Sequence, residues 1–331
     1  MNSEYKLGIY IPTYDRRERL EECLRSMIPQ LGKYNLPIFI SDNSKGNDTE
    51  ALIKQLKEEY ADIYYKRNDS GLGNTYAANL VSLLAMINTE FVWLFGDDDL
   101  IKEGAIDRIL KEIVDCDFLQ INSEVWNNDF SKILVERKIK ENKDKVYLKG
   151  EHERVLANAT DGYAGFMGSI ITRGEYLKEE LKKIKKEDLP NKDYLHMTLF
   201  FRSIVGKHGK FIAEPLIRYR NLSNLGGKEF EIWMSSFPKA LDELRPLYSD
   251  SILKHVGTLP IYSMVGIACV NKIQNPDKIR LYEELISKNT AMSSVEKSIL
   301  SVLIRIPDPI IKIMIYPSMK KNKLTMKKAN F

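Results

Sequence analysis

Short apolar runs alternate with amphipathic segments along the first 120 residues of the chain. Residues 7–11, 37–40 and 91–95 are apolar runs of the kind found in strands buried on both faces of a parallel sheet. Between the first two runs, apolar residues recur with the period of a helix at Leu20, Cys23, Leu24, Met27, Ile28 and Leu31. This alternation continues to about residue 121. It predicts right-handed βαβ units on a mostly parallel sheet with flanking helices, an α/β fold.

Polar residues follow each of these strands at the point where it ends. They are Thr13 and Tyr14, then Asp42 and Asn43, and then Asp97, Asp98 and Asp99. Parallel strands bring their carboxyl ends to one edge of the sheet, where open α/β sheets bind ligands. An aromatic ring, an acid that accepts hydrogen bonds from a base and a cluster of acids suit a nucleoside diphosphate with Mg²⁺ or Mn²⁺. Three acids in isolation would be a solvated turn, but the buried strand directly before them favours a site.

Composition narrows the class of protein. The chain has 331 residues, of which 44% are hydrophobic and 29% charged, as in soluble globular proteins of one large domain or two smaller ones. A net charge of +4 does not indicate nucleic acid as a partner. Three scattered cysteines form neither a disulfide framework nor a metal-ligand pattern, which favours a reducing cytosol. We find no signal-peptide pattern and no apolar run long enough to cross a bilayer, so we expect a cytoplasmic protein.

Four segments together resemble the family 2 glycosyltransferases, which are inverting nucleotide-sugar transferases with the GT-A fold. They are residues 11–16 with Leu20, Leu24, Ser26 and Gln30 behind them, residues 40–44, Gly73 with Ala77, Ala78 and Asn79, and residues 94–99. The resemblance implies a donor site of Pro12, Thr13, Tyr14, Arg16, Asp42, Asn43, Gly73 and Asp97. In that site Tyr14 and Asp42 would hold the nucleoside. The metal, Mn²⁺ or Mg²⁺, would lie on the diphosphate at Asp97, Asp98 and Asp99.

Two positions in these segments depart from the family pattern. Gly96 stands where the acidic motif commonly has its leading acid, so which two of the three following aspartates bind metal stays open. Ala78 replaces an arginine that often precedes the asparagine at position 79. In addition, the glycines at 71 and 73 lack the third glycine of a dinucleotide-binding loop, and they equally fit a turn that enters a helix.

The second half of such a domain is expected to carry the acceptor site and the catalytic base. Asp193 matches the family's general base, and the following helix dipole would favour its ionised form. The alternative is that Asp193 only caps this helix, and its place in the chain favours the base. The acid that usually precedes it is Lys192 here. The glycine-punctuated segment 162–169 predicts either a sugar-binding surface with Tyr163 and Phe166 or a packed turn. His196, one turn after Asp193, is a third candidate for the acceptor site.

Beyond residue 228 the resemblance stops, and helical patterns take over. We therefore expect a GT-A domain over residues 1–225 and a helical C-terminal region over residues 226–331. From residue 302 onward there are seven lysines and arginines against one aspartate, a charge of +6, beside an apolar stretch interrupted by prolines. Apolar anchors beside lysines suit docking on an anionic membrane surface. The same pattern equally fits a helix packed on its own domain with a basic end.

Taken as a whole, the sequence predicts a metal-dependent, inverting, hexosyltransferase-type enzyme. It would move a sugar from a nucleoside diphosphate sugar to a hydroxyl of a glycan or lipid-linked acceptor in surface polysaccharide or glycoconjugate synthesis. The expected partners are this donor, this acceptor, an anionic membrane surface at the tail and a second copy of the chain at the C-terminal helices. We expect a cytoplasmic protein that is peripheral on the inner face of the plasma membrane. The alternatives are a non-catalytic glycan-binding or scaffold relative at the membrane and a nucleotidyltransferase.

Overall fold

A computed structural model describes residues 5–68, 75–160, 162–191, 193–221, 229–258, 261–289, 292–311 and 313. Within these residues the strands form one ten-stranded sheet. They are β1 (Tyr5–Thr13), β2 (Ile38–Asp42), β3 (Ile63–Arg67), β4 (Thr89–Leu94), β5 (Leu100–Ile101), β6 (Phe118–Trp126), β7 (Ile133–Val135), β8 (Lys145–Tyr147), β9 (Ile170–Arg173) and β10 (Gly209–Arg220). Their order is β3-β2-β1-β4-β9-β6-β10-β5, with β7 beside β6 and β8 beside β10.

The parallel part of the sheet carries the predicted strand ends. β1 pairs in parallel with β2 and with β4, and β2 pairs in parallel with β3. The register of β1 and β2 places Thr13 directly beside Asp42. These pairings confirm the prediction of a mostly parallel α/β sheet for the first part of the chain.

Antiparallel strands complete the sheet, and the apolar pattern does not predict them. β9 inserts antiparallel to both of its neighbours, β4 and β6, although β6 itself is parallel to β10. β5 pairs antiparallel with the end of β10. The direction of a strand depends on the connection that leads to it, so the residues of β9 alone carry no signal for its orientation.

The helices divide into two groups along the chain. Those that alternate with the strands are α1 (Arg17–Leu31), α2 (Asp48–Glu59), α3 (Tyr76–Leu84), α4 (Ala105–Glu112), α5 (His152–Ala157), α6 (Gly174–Leu181) and α7 (Leu195–Ser203). The C-terminal group comprises α8 (Glu229–Glu231), which continues through a π-helical turn into α9 (Phe237–Asp242), then α10 (Asp250–Gly257), α11 (Ile261–Gln274), α12 (Ile279–Lys288) and α13 (Ser294–Leu303). The buried face of α1 consists of Leu20, Cys23, Leu24, Met27 and Leu31, as its 3.6-residue period predicts.

Two hydrophobic clusters stabilise the described part of the chain. The larger cluster surrounds the sheet, and Phe237 and Val256 from α9 and α10 belong to it. The smaller cluster joins α8 to α11, α12 and α13 through residues such as Phe230 and Tyr282. The predicted domain boundary at residue 225 lies outside the described residues and stays a prediction. The packing nevertheless shows that the C-terminal helices belong to two clusters, because α9 and α10 pack with the sheet.

Candidate active site

Three consecutive aspartates lie at the carboxyl edge of the parallel strands. Asp97 and Asp99 are buried, with 5% and 3% of their surface exposed. Thr13, the last residue of β1, donates from Oγ1 to Asp97 Oδ2 at 2.8 Å. Arg16 Nη1 lies 3.0 Å from Asp97 Oδ1 and 3.1 Å from Asp98 Oδ2. The end of β1 and the start of α1 therefore meet at the acid cluster.

The end of β10 holds the acid cluster from a second direction. The backbone N–H of Arg220 donates to Asp99 Oδ1 at 2.8 Å, and Arg220 Nε donates to the carbonyl oxygen of Asp98 at 2.7 Å. The same guanidinium donates to the carbonyl oxygen of Asn128 and to the carboxylate of Glu22. Arg220 is only 5% exposed, so its charge is used to fix the chain around the acids.

The acids in this cluster disfavour one another's ionised forms. Burial, followed by the charge of Asp98, raises the pKa of Asp97 to about 6, although Arg16 and Thr13 act in the opposite direction. Burial and the charge of Asp98 also raise the pKa of Asp99 well above its usual range. Buried like charges at this spacing are relieved by a cation. The cluster is therefore suited to bind one.

Gly96 makes room for these carboxylates. A Cβ atom at this position would lie 2.8 Å from Asp99 Oδ2, closer than real Cβ contacts allow, and 3.1 Å from Asp98 Oδ1, a tight contact. A side chain at residue 96, including the acid that the family pattern leads us to expect there, would have to displace the carboxylate of Asp98 or Asp99. The absence of an acid at position 96 therefore goes together with the observed placement of the Asp98 and Asp99 carboxylates.

Asp42, predicted to bind the nucleoside, is fully buried at the end of β2. Its Oδ1 accepts from the backbone N–H of Ser44 at 2.7 Å, and its Oδ2 accepts from the hydroxyl of Tyr65 at 2.8 Å. Both carboxylate oxygens therefore already have a protein partner. The predicted contact with a base is untested, and it would need a further lone pair on one of these oxygens.

The other donor-site candidates that the structure describes lie beside the acids. Tyr14 is 45% exposed, so its ring is accessible to a ligand. Asn43 Nδ2 donates to the carbonyl oxygen of Thr75 at 3.1 Å, which ties the end of β2 to the start of α3. Pro12 lies inside β1 and is buried. Gly73 lies outside the described residues.

Comparison with known proteins identifies a family with this arrangement. Residues 8–170 match the family model described as Glycosyl transferase family 2. These residues form a family 2 glycosyltransferase domain. Among curated relatives, it is 37% identical over 112 residues to abequosyltransferase RfbV of Salmonella typhimurium LT2, covering 33% of this chain and 32% of the relative. It is 26% identical over 113 residues to GalNAc(5)-diNAcBac-PP-undecaprenol beta-1,3-glucosyltransferase of Campylobacter jejuni, covering 32% of this chain and 34% of the relative.

These matches span about a third of the length of either curated relative. Solved structures extend the likeness to the fold of nearly the whole chain. The structure of S. aureus TarS residues 1–349 matches with a TM-score of 0.58 at 13% identity, covering 96% of this chain and 92% of that one. The complex of TarS 1–349 with UDP-GlcNAc matches with a TM-score of 0.55 at 13% identity, with the same coverage. The predicted GT-A fold with a helical C-terminal region is confirmed.

The residues of this family 2 domain fit a divalent metal that also binds phosphate. In the described residues no group of three or more histidine, cysteine, aspartate or glutamate side chains is arranged as a complete metal site. Asp98 Oδ1 and Asp99 Oδ2 both point towards Gly96, and no described residue donates a hydrogen bond to either oxygen. Mg²⁺-type ions are commonly held by one or two carboxylates together with substrate phosphates. Two carboxylates without a third protein ligand match that mode.

Asp193, the candidate base of the glycosyltransferase domain, is exposed and does not cap the following helix. The N-cap residue of α7 is Tyr194, and no side chain hydrogen-bonds at this cap. The carboxylate of Asp193 instead accepts a hydrogen bond from the hydroxyl of Ser236. The neighbouring residue 192 lies outside the described residues. The structure therefore does not show Asp193 as a helix cap.

Two partly buried tyrosines, Tyr194 and Tyr219, connect Asp193 electrostatically with the acid cluster. Burial, followed by the charge of Asp193, raises the pKa of Tyr194. Burial, then the charges of Asp99 and Asp98, and then Tyr194 raise the pKa of Tyr219. Tyr194 is thus close to Asp193, and Tyr219 is close to Asp99, Asp98 and Tyr194. The candidate base and the acids belong to one region of the molecule.

The three acceptor-site candidates are all buried. Tyr163 and Phe166 are 2% and 8% exposed, and the hydroxyl of Tyr163 donates to the carbonyl oxygen of Ile121. His196 is 5% exposed, and its Nε2 donates to the carbonyl oxygen of Gly165 at 2.8 Å. Its Nδ1 therefore accepts from the hydroxyl of Tyr76 at 2.6 Å. Acceptor binding by these residues is untested, but their burial favours a supporting role.

The glycines of this segment serve packing against aromatic rings of the protein itself. A Cβ atom at Gly165 would lie 2.5 Å from the ring of Tyr194, and one at Gly162 would lie 2.3 Å from the ring of Trp233. Gly162 also has a positive φ of 80°. The interpretation of residues 162–169 as a packed turn is the one that the structure supports.

Asn79 is a site residue for which the sequence offers only the family pattern. It lies on α3, is 3% exposed, and donates from Nδ2 to the carbonyl oxygen of Thr13 at 3.0 Å. The backbone N–H of Asn43 donates to the same oxygen at 3.1 Å. Because Thr13 also binds Asp97, Asn79 supports the acid cluster through the end of β1. The match of Ala77, Ala78 and Asn79 to the family is the only signal that could have found it.

Proposed function

We propose that the protein is an inverting, metal-dependent glycosyltransferase. It transfers a sugar from a nucleoside diphosphate sugar to a hydroxyl of a glycan or lipid-linked acceptor in surface polysaccharide or glycoconjugate synthesis. The observation that carries the proposal is the contact of Thr13 and Arg16 with Asp97 and Asp98 at the carboxyl edge of a family 2 domain. The names of the two curated relatives, one of which acts on an undecaprenol diphosphate-linked glycan, support this class of reaction.

In this proposal each group has a step in the reaction. The nucleoside lies near Tyr14 and Asp42, and the diphosphate lies over the aspartates beside the Arg16 guanidinium, which offsets its charge. A divalent cation held by Asp98 and Asp99 would supply Lewis acidity for the departing diphosphate. The carboxylate of Asp193 accepts the proton of the acceptor hydroxyl as that oxygen attacks the anomeric carbon, so the anomeric configuration inverts.

The experiment that tests this proposal is release of nucleoside diphosphate from a panel of nucleotide sugars. We would measure it with Mn²⁺, with Mg²⁺ and with a chelator, in the presence of a lipid-linked acceptor extract. We expect release in the presence of metal and its loss in Asp98→Asn. Asp107→Asn is a matched control, because Asp107 is an exposed acid on α4 that pairs with Lys33.

Asp193→Asn separates the base from the donor site. We expect this variant to bind the nucleotide sugar as the wild type does but to lose at least a hundredfold in transfer, within the range for a general base. Binding of a nucleotide sugar without turnover in the wild type would favour a non-catalytic scaffold instead. Full activity in the chelator would contradict the metal dependence but not the transfer reaction.

We also propose that the C-terminal end docks on an anionic membrane surface. In the described residues no helix is long and apolar enough to span a bilayer. One face of α13 nevertheless exposes Val295, Ile299 and Val302, which are 69%, 40% and 63% accessible. Ile310 and Ile313 beyond it are 50% and 74% exposed. The lysines from residue 320 onward lie outside the described residues, but in the sequence they follow these apolar side chains, a pattern that suits docking on an anionic surface.

Vesicle sedimentation tests this docking. We expect the protein to bind vesicles containing phosphatidylglycerol and to leave phosphatidylcholine vesicles unbound, with weaker binding at high salt. Val302→Asp should reduce binding, whereas Val114→Asp should not, since Val114 is 58% exposed but lies after α4. Equal binding of wild type and Val302→Asp would contradict the proposal. Dimerisation that Val302→Asp abolishes, without vesicle binding, would show that the face meets a second copy.

A further inference from the structure

Arg218 carries a guanidinium for which the described residues provide no acceptor. Its Nε atom is buried and donates to no acceptor among them, and neither an ion pair nor a hydrogen bond to another described residue satisfies its remaining nitrogens. Its guanidinium carbon lies 5.3 Å from the centroid of the Trp126 ring. A buried donor without an acceptor costs free energy that a bound anion would recover.

The contrast with Arg220 shows that the lack of partners is specific to Arg218. Arg218 and Arg220 are two residues apart on β10, so their side chains leave the same face of the strand. Arg220 binds Asp98, Asn128 and Glu22 through its guanidinium. The described residues therefore satisfy one arginine of the pair and give the other only an aromatic face.

The acid nearest to Arg218 in the sheet is already engaged. In the register of the sheet, Arg218 lies beside Glu124 of β6 and beside Leu100 of β5. Glu124 binds Lys102 Nζ through Oε1, and its Oε2 accepts from Trp126 Nε1 at 2.8 Å. The charge of Arg218 thus remains available beside Leu100, the residue that directly follows the three aspartates.

We propose that Arg218, held against Trp126, binds a phosphate group of a ligand of the transfer reaction. The proposal rests on the proposed function, in which two ligands carry such a group: the diphosphate of the donor and the diphosphate that links an acceptor to its lipid. A guanidinium offers a planar fork of donors that matches phosphate oxygens, and stacking on an aromatic ring restricts its orientation. The position beside Leu100 places this fork at the same edge of the sheet as the acid cluster.

The test measures the affinity of three probes for the full-length protein by isothermal titration. The probes are inorganic pyrophosphate, farnesyl diphosphate in detergent, and whichever of UDP, GDP, CDP and dTDP the wild type binds. The variants are Arg218→Gln and Arg218→Lys. Arg25→Gln is the matched control, because it removes the same charge from an α1 arginine that is 43% exposed and pairs with Glu21 and Glu59.

We expect Arg218→Gln to weaken pyrophosphate binding at least tenfold, as for the loss of a charged hydrogen bond, and Arg25→Gln to leave it unchanged. Arg218→Lys should recover only part of the affinity, because an ammonium keeps the charge but not the planar fork. Weaker binding of the nucleoside diphosphate assigns Arg218 to the donor. Weaker binding of farnesyl diphosphate, with unchanged binding of the nucleoside diphosphate, assigns Arg218 to the acceptor.

Two results would overturn the proposed phosphate site, and a third would contradict the proposed function of the protein. Arg218→Gln that binds all three probes as tightly as the wild type would exclude a phosphate site at Arg218. Equal losses in Arg218→Gln and Arg25→Gln would show an effect of net charge only. A wild type that binds none of the nucleoside diphosphates would contradict the proposed function itself. If Arg218→Gln does not fold, Arg218→Lys decides between these outcomes through the same titrations.

Discussion

At the scale of single residues, Gly96 sets the geometry of the acid cluster. A methyl group there would contact Asp99 Oδ2 and Asp98 Oδ1 at 2.8 and 3.1 Å, so Gly96→Ala must move at least one carboxylate. We expect this variant to fold and to lose at least tenfold in nucleoside diphosphate release, because small displacements of reacting groups are costly. Gly46→Ala is the control, since a Cβ at Gly46 has no neighbour within 4 Å. Unchanged kinetics in Gly96→Ala would show that the carboxylates can be displaced without effect.

His196 makes a second prediction at this scale, on the dependence of stability on pH. Burial lowers the pKa of His196 from 6.5 to about 4. The unfolded chain, in which histidine keeps its ordinary pKa, therefore binds a proton that the folded protein excludes. Stability is complete above pH 6.5 and falls as the pH drops towards 4, by up to about 3 kcal/mol. Urea unfolding between pH 7 and pH 4.5 should show this loss in the wild type.

Two histidine variants isolate the effect of this residue. His196→Gln keeps an amide that can bond to Tyr76 and Gly165 but cannot take up a proton in this range, so the free energy of unfolding should depend less on pH. His255→Gln removes a histidine on α10 that is exposed, and it should leave the pH dependence as in the wild type. Parallel pH profiles for all three proteins would assign the acid sensitivity to other groups.

Some site residues could be predicted individually and others could not. The contact of Thr13 with Asp97 follows from polar residues at the ends of parallel strands, which the apolar pattern locates. The burial of Tyr163 does not follow, because a glycine-rich aromatic segment fits a sugar surface and a packed turn equally well. What decides between them is the ring of Tyr194 against Gly165, and that contact joins segments far apart in the chain.

At the scale of elements, α3 is attached to the end of β1 by one side chain. Asn79→Ala removes the hydrogen bond from Nδ2 to the carbonyl oxygen of Thr13 inside the protein. We expect a loss of about 1 kcal/mol in the free energy of unfolding, as for one buried hydrogen bond, because the backbone N–H of Asn43 still donates to this oxygen. The affinity for the nucleoside diphosphate should also fall, because Thr13 orients Asp97. Chemical unfolding and titration calorimetry measure the two effects.

Ser82 provides the matched control on the same helix. It is 3% exposed, like Asn79, but its hydroxyl oxygen has no hydrogen-bond partner among the described residues. Ser82→Ala should therefore change the free energy of unfolding by no more than about 0.5 kcal/mol and should leave ligand affinity unchanged. If the two variants behaved alike, the attachment of α3 to β1 would have no measurable role.

The elements themselves were predictable from the sequence to different degrees. The face of α1 and the runs of β1, β2 and β4 are visible as periodicities, since burial dictates residue type along them. The orientation of β9 between β4 and β6 is not visible, because it follows from the long connection through β7, β8 and α5. The donor-site candidates follow strands of the first kind. The acceptor-site candidates Tyr163 and Phe166 lie in the turns before β9, and His196 lies on α7, so strand periodicity did not define them.

At the scale of the whole molecule, the C-terminal end combines a structural part with a part that we assign to the membrane. Leu300, Ile304 and Ile311 are buried in the smaller hydrophobic cluster, so removal of the chain from about residue 300 would expose that cluster. A chain that ends at Ile313 keeps these residues and loses residues 314–331, which carry five lysines and no acidic residue. This truncation separates the two parts.

We expect the chain that ends at Ile313 to unfold at the temperature of the full-length protein and to keep its turnover on a water-soluble acceptor. Its affinity for phosphatidylglycerol vesicles at low salt should fall at least a hundredfold, because each lysine near an anionic surface contributes about 1 kcal/mol. Sedimentation with vesicles, a thermal melt and a transfer assay measure the three quantities. If the basic end instead packs on its own domain, the truncated chain will melt earlier while its vesicle affinity stays as it was. That result would leave the transferase assignment intact and place the acceptor away from the membrane surface.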